Sequence, residues 1–262
     1  MQQNKQKPFR VPAEKNELLQ QTLTRININE EIQALWQVIN VNAIDRLGMS
    51  DHGPVHFQIV ANIALKLLRT LQKKGIVPSV VKDFDLTVNH SELIIVLASI
   101  MHDFGMSINR EGHEEFSLFL TNSLLREILD FLRVRERTIV ISETLHAIIN
   151  HRAGGRPITL EAGIVRVADA LDMTHGRSRI PFEAGRVDIY SLSAFAIDKV
   201  EILEGIEKPI RVEVHMNNSA GVFQIDELLK SKLRDSGIEQ YIEVIAYIEA
   251  ELEKKLIAEF KL

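Results

Sequence analysis

The chain has 262 residues, enough for one large domain or for one domain with an appended piece. Its net charge of −5 excludes a general nucleic-acid binder, which should be basic. It has no cysteine, so disulfides and thiolate metal sites are excluded, and any metal must be held by histidine and carboxylate.

In chain order, residues 1–7 are polar and lack the apolar core of a signal peptide. Residues 1–11 read as a flexible arm. Helical signals begin near Pro12, a good first-turn residue. Asn29 followed by Ile32, Leu35, Trp36 and Ile39 predicts a capped amphipathic helix. After the break at 48–54, a long helix is expected from about His52 or Pro54 to Lys74, ended by Gly75. Residues 75–90 read as a loop, and Asn89 with Glu92 in capping-box position opens the next helix. That helix, over 93–101, is apolar on every face but Ser99 and belongs inside a domain. It is the longest apolar run and is far short of the ~20 residues that cross a bilayer. These features together predict a cytoplasmic protein with no membrane partner.

Further helices are expected over about 112–133, 137–151 and 160–173, the last capped by Thr159 and preceded by a loop with Gly154, Gly155 and Pro157. Beyond Pro181 the pattern changes. Residues 200–203, 210–215 and 222–225 read as short strands, with turns at Gly205 and 217–221. A charged amphipathic helix over about 237–258 closes the chain. The expected class is mainly α: a helical domain over 12–181 and a small antiparallel β plus helix appendage over 182–262 (α+β).

Six of the nine histidines fall where chemistry is easy to propose: His52, His56, His102, His113, His146 and His151. Each alone has an ordinary explanation as a surface or satisfied core residue. His52 and His56, four apart, share a face if both are helical. His102-Asp103 ends an almost fully apolar helix, where an uncompensated carboxylate is costly to bury and metal ligation is one remedy. Asp169 repeats that pattern in an apolar helix, with an intrahelical ion pair to Arg166 as the competing reading. His146 lies five residues before His151 and so points to another helical face.

His56 followed by Val60, Ala61 and Ala64, then His102-Asp103-Phe104-Gly105, then Asp169 in the apolar helix 164–172, resembles the motifs of the HD phosphohydrolase superfamily in order and separation. The likeness covers about residues 50–180 and implies an HD-type helical bundle. His113-Glu114-Glu115 and Ile149-Asn150-His151 resemble the two extra histidines of two-metal members. The stretch 148–157 is also similar to the HD-GYP loop, but departs from it at Asn150, Arg152 and Arg156.

The resemblance implies that His56, His102, Asp103 and Asp169 hold one metal and that His113 and His151 hold a second, with Asp103 bridging. The implied cofactors are two divalent transition metal ions drawn from Mn, Fe, Zn, Co or Ni. The implied reaction is hydrolysis of a phosphate ester of a nucleotide or a related small phosphorylated molecule, by a metal-bridging hydroxide. His52 precedes His56 as the general acid does in cyclic-nucleotide phosphodiesterases, and so is a candidate for that role. Arg110, Arg177 and Arg179 are candidate phosphate clamps, since guanidinium forks grip phosphate oxygens. Two alternatives stay open: a diiron HD-type oxygenase, which uses the same ligands, and a nucleotide-binding regulatory module. The appended unit is a candidate effector site or homodimer interface.

Overall fold

In the computed structural model, which describes residues 8–174, 189–249 and the backbone of 259–261, the apolar period of about 3.6 marks most of the helices. The first, α1 (Glu17–Ile28), starts later than the Pro12 signal, because Asn16 supplies the cap: its side chain accepts from the Leu19 amide at 3.1 Å. Helix α2 (Glu30–Asn40) is capped by Asn29 as expected and continues as a π-helical turn over Val41–Arg46. Residues 8–11 are not a loose arm. Phe9 is buried against Trp36, and its backbone amide donates to the Asn27 side chain at 2.7 Å.

Helix α3 (Pro54–Lys73) begins after His52, so His52 is not on its face. The expected loop 75–90 contains a short helix, α4 (Ser79–Phe84), whose first amides are accepted by the buried carboxylate of Glu161. Helix α5 (Val88–Met101) is capped by Thr87 with His90, and not by Asn89 with Glu92. Glu92 is turned instead to Arg69 and Asn16 at 2.7 and 3.0 Å.

Residues 90–101 of α5 are all buried. Helices α1, α3, α4, α7 (Val134–Asn150) and α8 (Leu160–Leu171) pack against it, and α6 (His113–Ile128) packs against α7 and the turn over Phe104–Ser107. Each fully buried Leu or Ile of that row contributes about 1.5–3 kcal/mol, which makes α5 the axis of the bundle. Among the described residues no helix is long and apolar enough to cross a membrane.

After the short helix α9 (Ile189–Phe195), the appended unit forms a four-stranded sheet in the order β1 (Ile197–Glu204), β2 (Ile210–Met216), β3 (Ile242–Ile248), β4 (Glu259–Lys261). Three expectations are corrected here. Residues 242–248 form a strand and not the start of a closing helix, because Ile242, Val244, Ala246 and Ile248 alternate onto the buried face. Positions 250–258 of that predicted helix lie outside the described residues. Residues 222–225 are helical, continuing through a π-helical stretch (Gln224–Leu229) into α10 (Lys230–Leu233), where Ile225, Leu229 and Leu233 give a helical stripe. The sheet is mixed and not antiparallel throughout: β2 pairs parallel with β3, Val212 opposite Val244. A parallel pair needs a crossover, and residues 217–241 supply it with α10 inside.

The apolar cluster runs without a break from the bundle into the sheet and the crossover, through Ile225, Leu229 and Ile238. The joint is made on α8. A Cβ at Gly163 would overlap the backbone carbonyl of Ser236, so only glycine lets the turn after α10 come this close. One turn on, the buried Arg166 guanidinium is bonded to the carbonyls of Lys232 at 2.7 Å, Ser231 at 3.0 Å, Arg152 at 3.0 Å and Gly155.

Gly163→Ala is therefore expected to cost about 1–3 kcal/mol by overpacking, read as a lower urea midpoint. An unchanged midpoint would mean that the crossover does not rest on α8.

Candidate metal centre

Four histidines and two aspartates from five segments meet beside the end of α5. His56 comes from the first turn of α3, His102 and Asp103 from the end of α5, His113 from the start of α6, His151 from the end of α7 and Asp169 from α8. All six are buried. Gly105 lets the chain turn under α6, since a Cβ there would overlap the carbonyl of His113. Ser117 fixes the same turn, accepting from the Gly105 amide at 2.8 Å and lying within reach of the carbonyls of His102 and His113 at 2.7 and 2.8 Å.

The outer nitrogen of every ring is tied down. His56 Nδ1 donates to the Asp172 carboxylate at 2.6 Å, His102 Nδ1 to the Ser99 carbonyl at 3.0 Å, His113 Nδ1 to the Arg110 carbonyl at 2.9 Å and His151 Nδ1 to the Ile148 carbonyl at 2.6 Å. Carbonyls and carboxylates only accept, so each Nδ1 carries a proton, and in the neutral form of each ring Nε2 faces the centre with its lone pair.

Asp103 lies between two histidine pairs. Its Oδ2 is 3.5 Å from His102 Nε2 and 3.9 Å from His56 Nε2. Its Oδ1 is 3.1 Å from His113 Nε2 and 3.8 Å from His151 Nε2. Asp169 Oδ1 closes the first group, 3.3 Å from His56 Nε2 and 3.7 Å from His102 Nε2. Atoms sharing one ion at about 2.1 Å lie no more than about 4.2 Å apart, and every one of these pairs meets that limit.

The donor set fits a metal on a further count. His56 Nε2 and His102 Nε2 are 3.2 Å apart. With both outer nitrogens donating away, these two lone pairs oppose each other, a contact that a shared cation relieves.

The electrostatics agree at Asp103, Asp169, His102 and His151. Burial alone would raise the Asp103 carboxyl, but His102 beside it, the hydrogen bond from His113 and the charge of His52 hold it well below the ordinary range. Asp169 is likewise raised by burial and brought well below its usual value by Lys232, then by His56 and His102. Burial pushes the His151 imidazole down to about 3, helped by His102 and Lys232, and it lowers His102 as well. His113 moves the other way: burial lowers it, but the bond and charge of Asp103, with Glu114, outweigh that and raise it. Neutral rings and ionised carboxylates are the ligand-competent forms.

A cavity of about 720 Å³ opens onto the cluster, lined by His52, Arg110, Glu114, Arg152, Met173 and Lys232 among others. His52 is buried at its edge, with Nδ1 on the Ser50 carbonyl at 2.7 Å. Arg110 stands over His113, its guanidinium 3.0 Å from the ring. Arg177 and Arg179 lie outside the described residues. His146 is apart from the cluster; its Nε2 accepts from the Ile158 amide at 3.1 Å, bracing the loop after His151.

Arg166 does not pair with Asp169. It turns to backbone carbonyls, and the cation on Asp169 is Lys232. Four site residues were not singled out from the sequence, among them Arg152, which reaches the cavity from the loop after His151. Glu114 groups with His113 and His151 as a possible ligand, and its adjacency to His113 was the available signal. Asp172, three residues past Asp169, orients His56. Lys232 had no signal, being 63 residues from its partner.

Residues 55–174, which include all six, match the family described as HD domain. Over 224 residues, 85% of this chain and 86% of the relative, the sequence is 44% identical to a protein of Methanocaldococcus jannaschii described as "Uncharacterized protein MJ1020".

The buried neutral ring of His151 gives the metal-free protein a defined pH dependence, which the raised His113 offsets in part. His151 has a folded-state value of about 3, against about 6.5 for an exposed histidine. Between those values the unfolded chain binds the proton and the folded chain does not, so stability is present above about pH 6.5 and is lost as pH falls toward 3. Urea midpoints of metal-free protein at pH 5 and pH 7 check this. A midpoint at pH 5 no lower than at pH 7 would show that the neutral His151 ring does not set the pH dependence.

Proposed function

Because the chain belongs to the HD family, we propose that it is a phosphohydrolase that uses two divalent transition metal ions to cleave a phosphate ester of a small molecule. The observation that carries this reading is Asp103, whose two oxygens each face a separate pair of Nε2 atoms at 3.1–3.9 Å. His56, His102, Asp169 and Asp103 Oδ2 would hold one ion. His113, His151 and Asp103 Oδ1 would hold the other. When bound, such ions polarise a phosphoryl group and make water more acidic.

The remaining work falls to the chain. Arg110 and Arg152 line the cavity and offer planar donors to phosphate oxygens. With His52 Nδ1 fixed on the Ser50 carbonyl, proton exchange with a leaving oxygen runs through Nε2, the role of a general acid. Met49, Met173 and Leu228 give the cavity an apolar wall, and its volume of about 720 Å³ suits a ligand of nucleotide size. Asp172 keeps His56 in the ligating tautomer through a 2.6 Å bond.

The test is metal content of the untagged protein by mass spectrometry, followed by a phosphate-release screen over nucleotides with Mn²⁺ added. About two transition metals per chain with phosphate release supports the reading. Two irons with oxygen-dependent turnover and no phosphate release would replace it with diiron oxygen chemistry, and no metal after reconstitution would overturn it. In the active case Asp103→Ala is expected to lose both metals. The metals supply several kcal/mol at about tenfold per 1.36 kcal/mol, so the rate should fall by roughly 10³ or more. His113→Ala is expected to retain one metal.

A further inference from the structure

The crossover between β2 and β3 brings Lys232 to the cavity, where the one role assigned to it above is to pair with Asp169. We propose that Lys232 is the anion-binding residue that the C-terminal unit contributes to the site, its ammonium gripping non-bridging oxygens of the phosphate group that is cleaved. This rests on the phosphohydrolase reading and adds a residue to it, together with a task for the appended unit.

Position is the first argument. Asp169 divides its oxygens: Oδ1 faces His56 and His102, and Oδ2 meets the Lys232 ammonium. The cation thus sits one carboxylate away from the first ligand group without occupying it. Its charge is also felt at His151, in the second group. The side chain is mostly buried and lines the cavity. An oxyanion held by ions in both groups would lie beside it.

Presentation is the second. The Lys232 carbonyl accepts from Arg166 Nε at 2.7 Å and the Ser231 carbonyl from Arg166 Nη2 at 3.0 Å. Arg166 is fully buried on α8, one turn before Asp169. The same guanidinium holds the Arg152 carbonyl at 3.0 Å, next to His151. One buried cation therefore registers the lysine, the loop of His151 and Asp169 together. A donor fixed in advance of the substrate costs little to reorganise.

Charge is the third. The cavity lining carries the carboxylates Asp103, Glu114, Asp169 and Asp172 and the cations Arg110, Arg152 and Lys232. Arg152 is shared with Glu115 at 3.3 Å, and Arg110 stands at the His113 end. Lys232 is the cation at the Asp169 end. Two divalent ions would turn this balance positive, so Lys232 would gain a second anion to hold and would not be needed to neutralise Asp169.

A lysine that only neutralised Asp169 would be missed by the metal, and a substrate lysine would be missed by phosphate. The experiment compares inorganic phosphate binding by calorimetry to metal-loaded wild type, Lys232→Gln, Lys232→Met and Lys232→Arg, with metal content measured on the same samples. Expected are wild-type metal content in all, phosphate binding roughly tenfold or more weaker in the Gln and Met variants, and recovery in Arg, since a charge-assisted bond is lost and restored. Lys232→Met keeps the aliphatic stem if Lys232→Gln fails to fold. Unchanged phosphate affinity, or affinity lost only in step with metal, overturns the role of Lys232 and leaves the phosphohydrolase reading standing. A metal-loaded wild type that binds no phosphate overturns both.

Discussion

Two ionised carboxylates are buried at the end of an apolar helix, and much of the structure is arranged to make that tolerable. Removing a carboxylate from water costs several kcal/mol unless it is paired and hydrogen-bonded. Asp103 and Asp169 are therefore surrounded by four imidazoles and one ammonium. The rings cannot turn away, because each outer nitrogen is spent on a carbonyl or on Asp172. What results is a rigid pocket of inward lone pairs and negative oxygens, which is the electrostatic description of a cation site.

Helix α8 then makes the pocket depend on the appended unit. Gly163, Arg166 and Asp169 recur at three-residue spacing and lie on one side of the helix. Gly163 permits close approach, Arg166 fastens the carbonyls of 231–232 and of the loop after His151, and Asp169 takes the lysine. A buried guanidinium bonded to carbonyls of separate segments replaces what water would supply to all of them. The parallel pairing of β2 with β3 belongs to the same arrangement, since it requires the crossover that carries α10. Sheet, crossover and candidate metal centre are thus one mechanical unit.

Legibility in the sequence followed the range of each interaction. The doublet His102-Asp103, the helix over 93–101 and the break after His151 were readable, because apolar periodicity and glycine turns are local. The strand 242–248 was misread as helix: Glu243 and Glu249 with intervening apolar residues fit either period until burial shows that alternate positions face inward. Residues 222–225 failed in the opposite sense, since four apolar or amide residues carry no period of their own and take it from Leu229 and Leu233. The cap of α5 went to Thr87 because Glu92 found Arg69 and Asn16.

By itself the sequence determined the donor types, their order and the helices that carry them, which is enough for the family and for the chemistry of a histidine–carboxylate site. That follows because ligands are fixed by residue identity and helical faces by spacing along the chain. The tertiary structure alone decided which carboxylate oxygen faces which ring, that Asp172 orients His56 from 116 residues away, and that Lys232 and not Arg166 meets Asp169. Those are contacts between segments far apart in the chain, where no local pattern distinguishes one buried cation from another and only the packing of α8 against the crossover makes the choice.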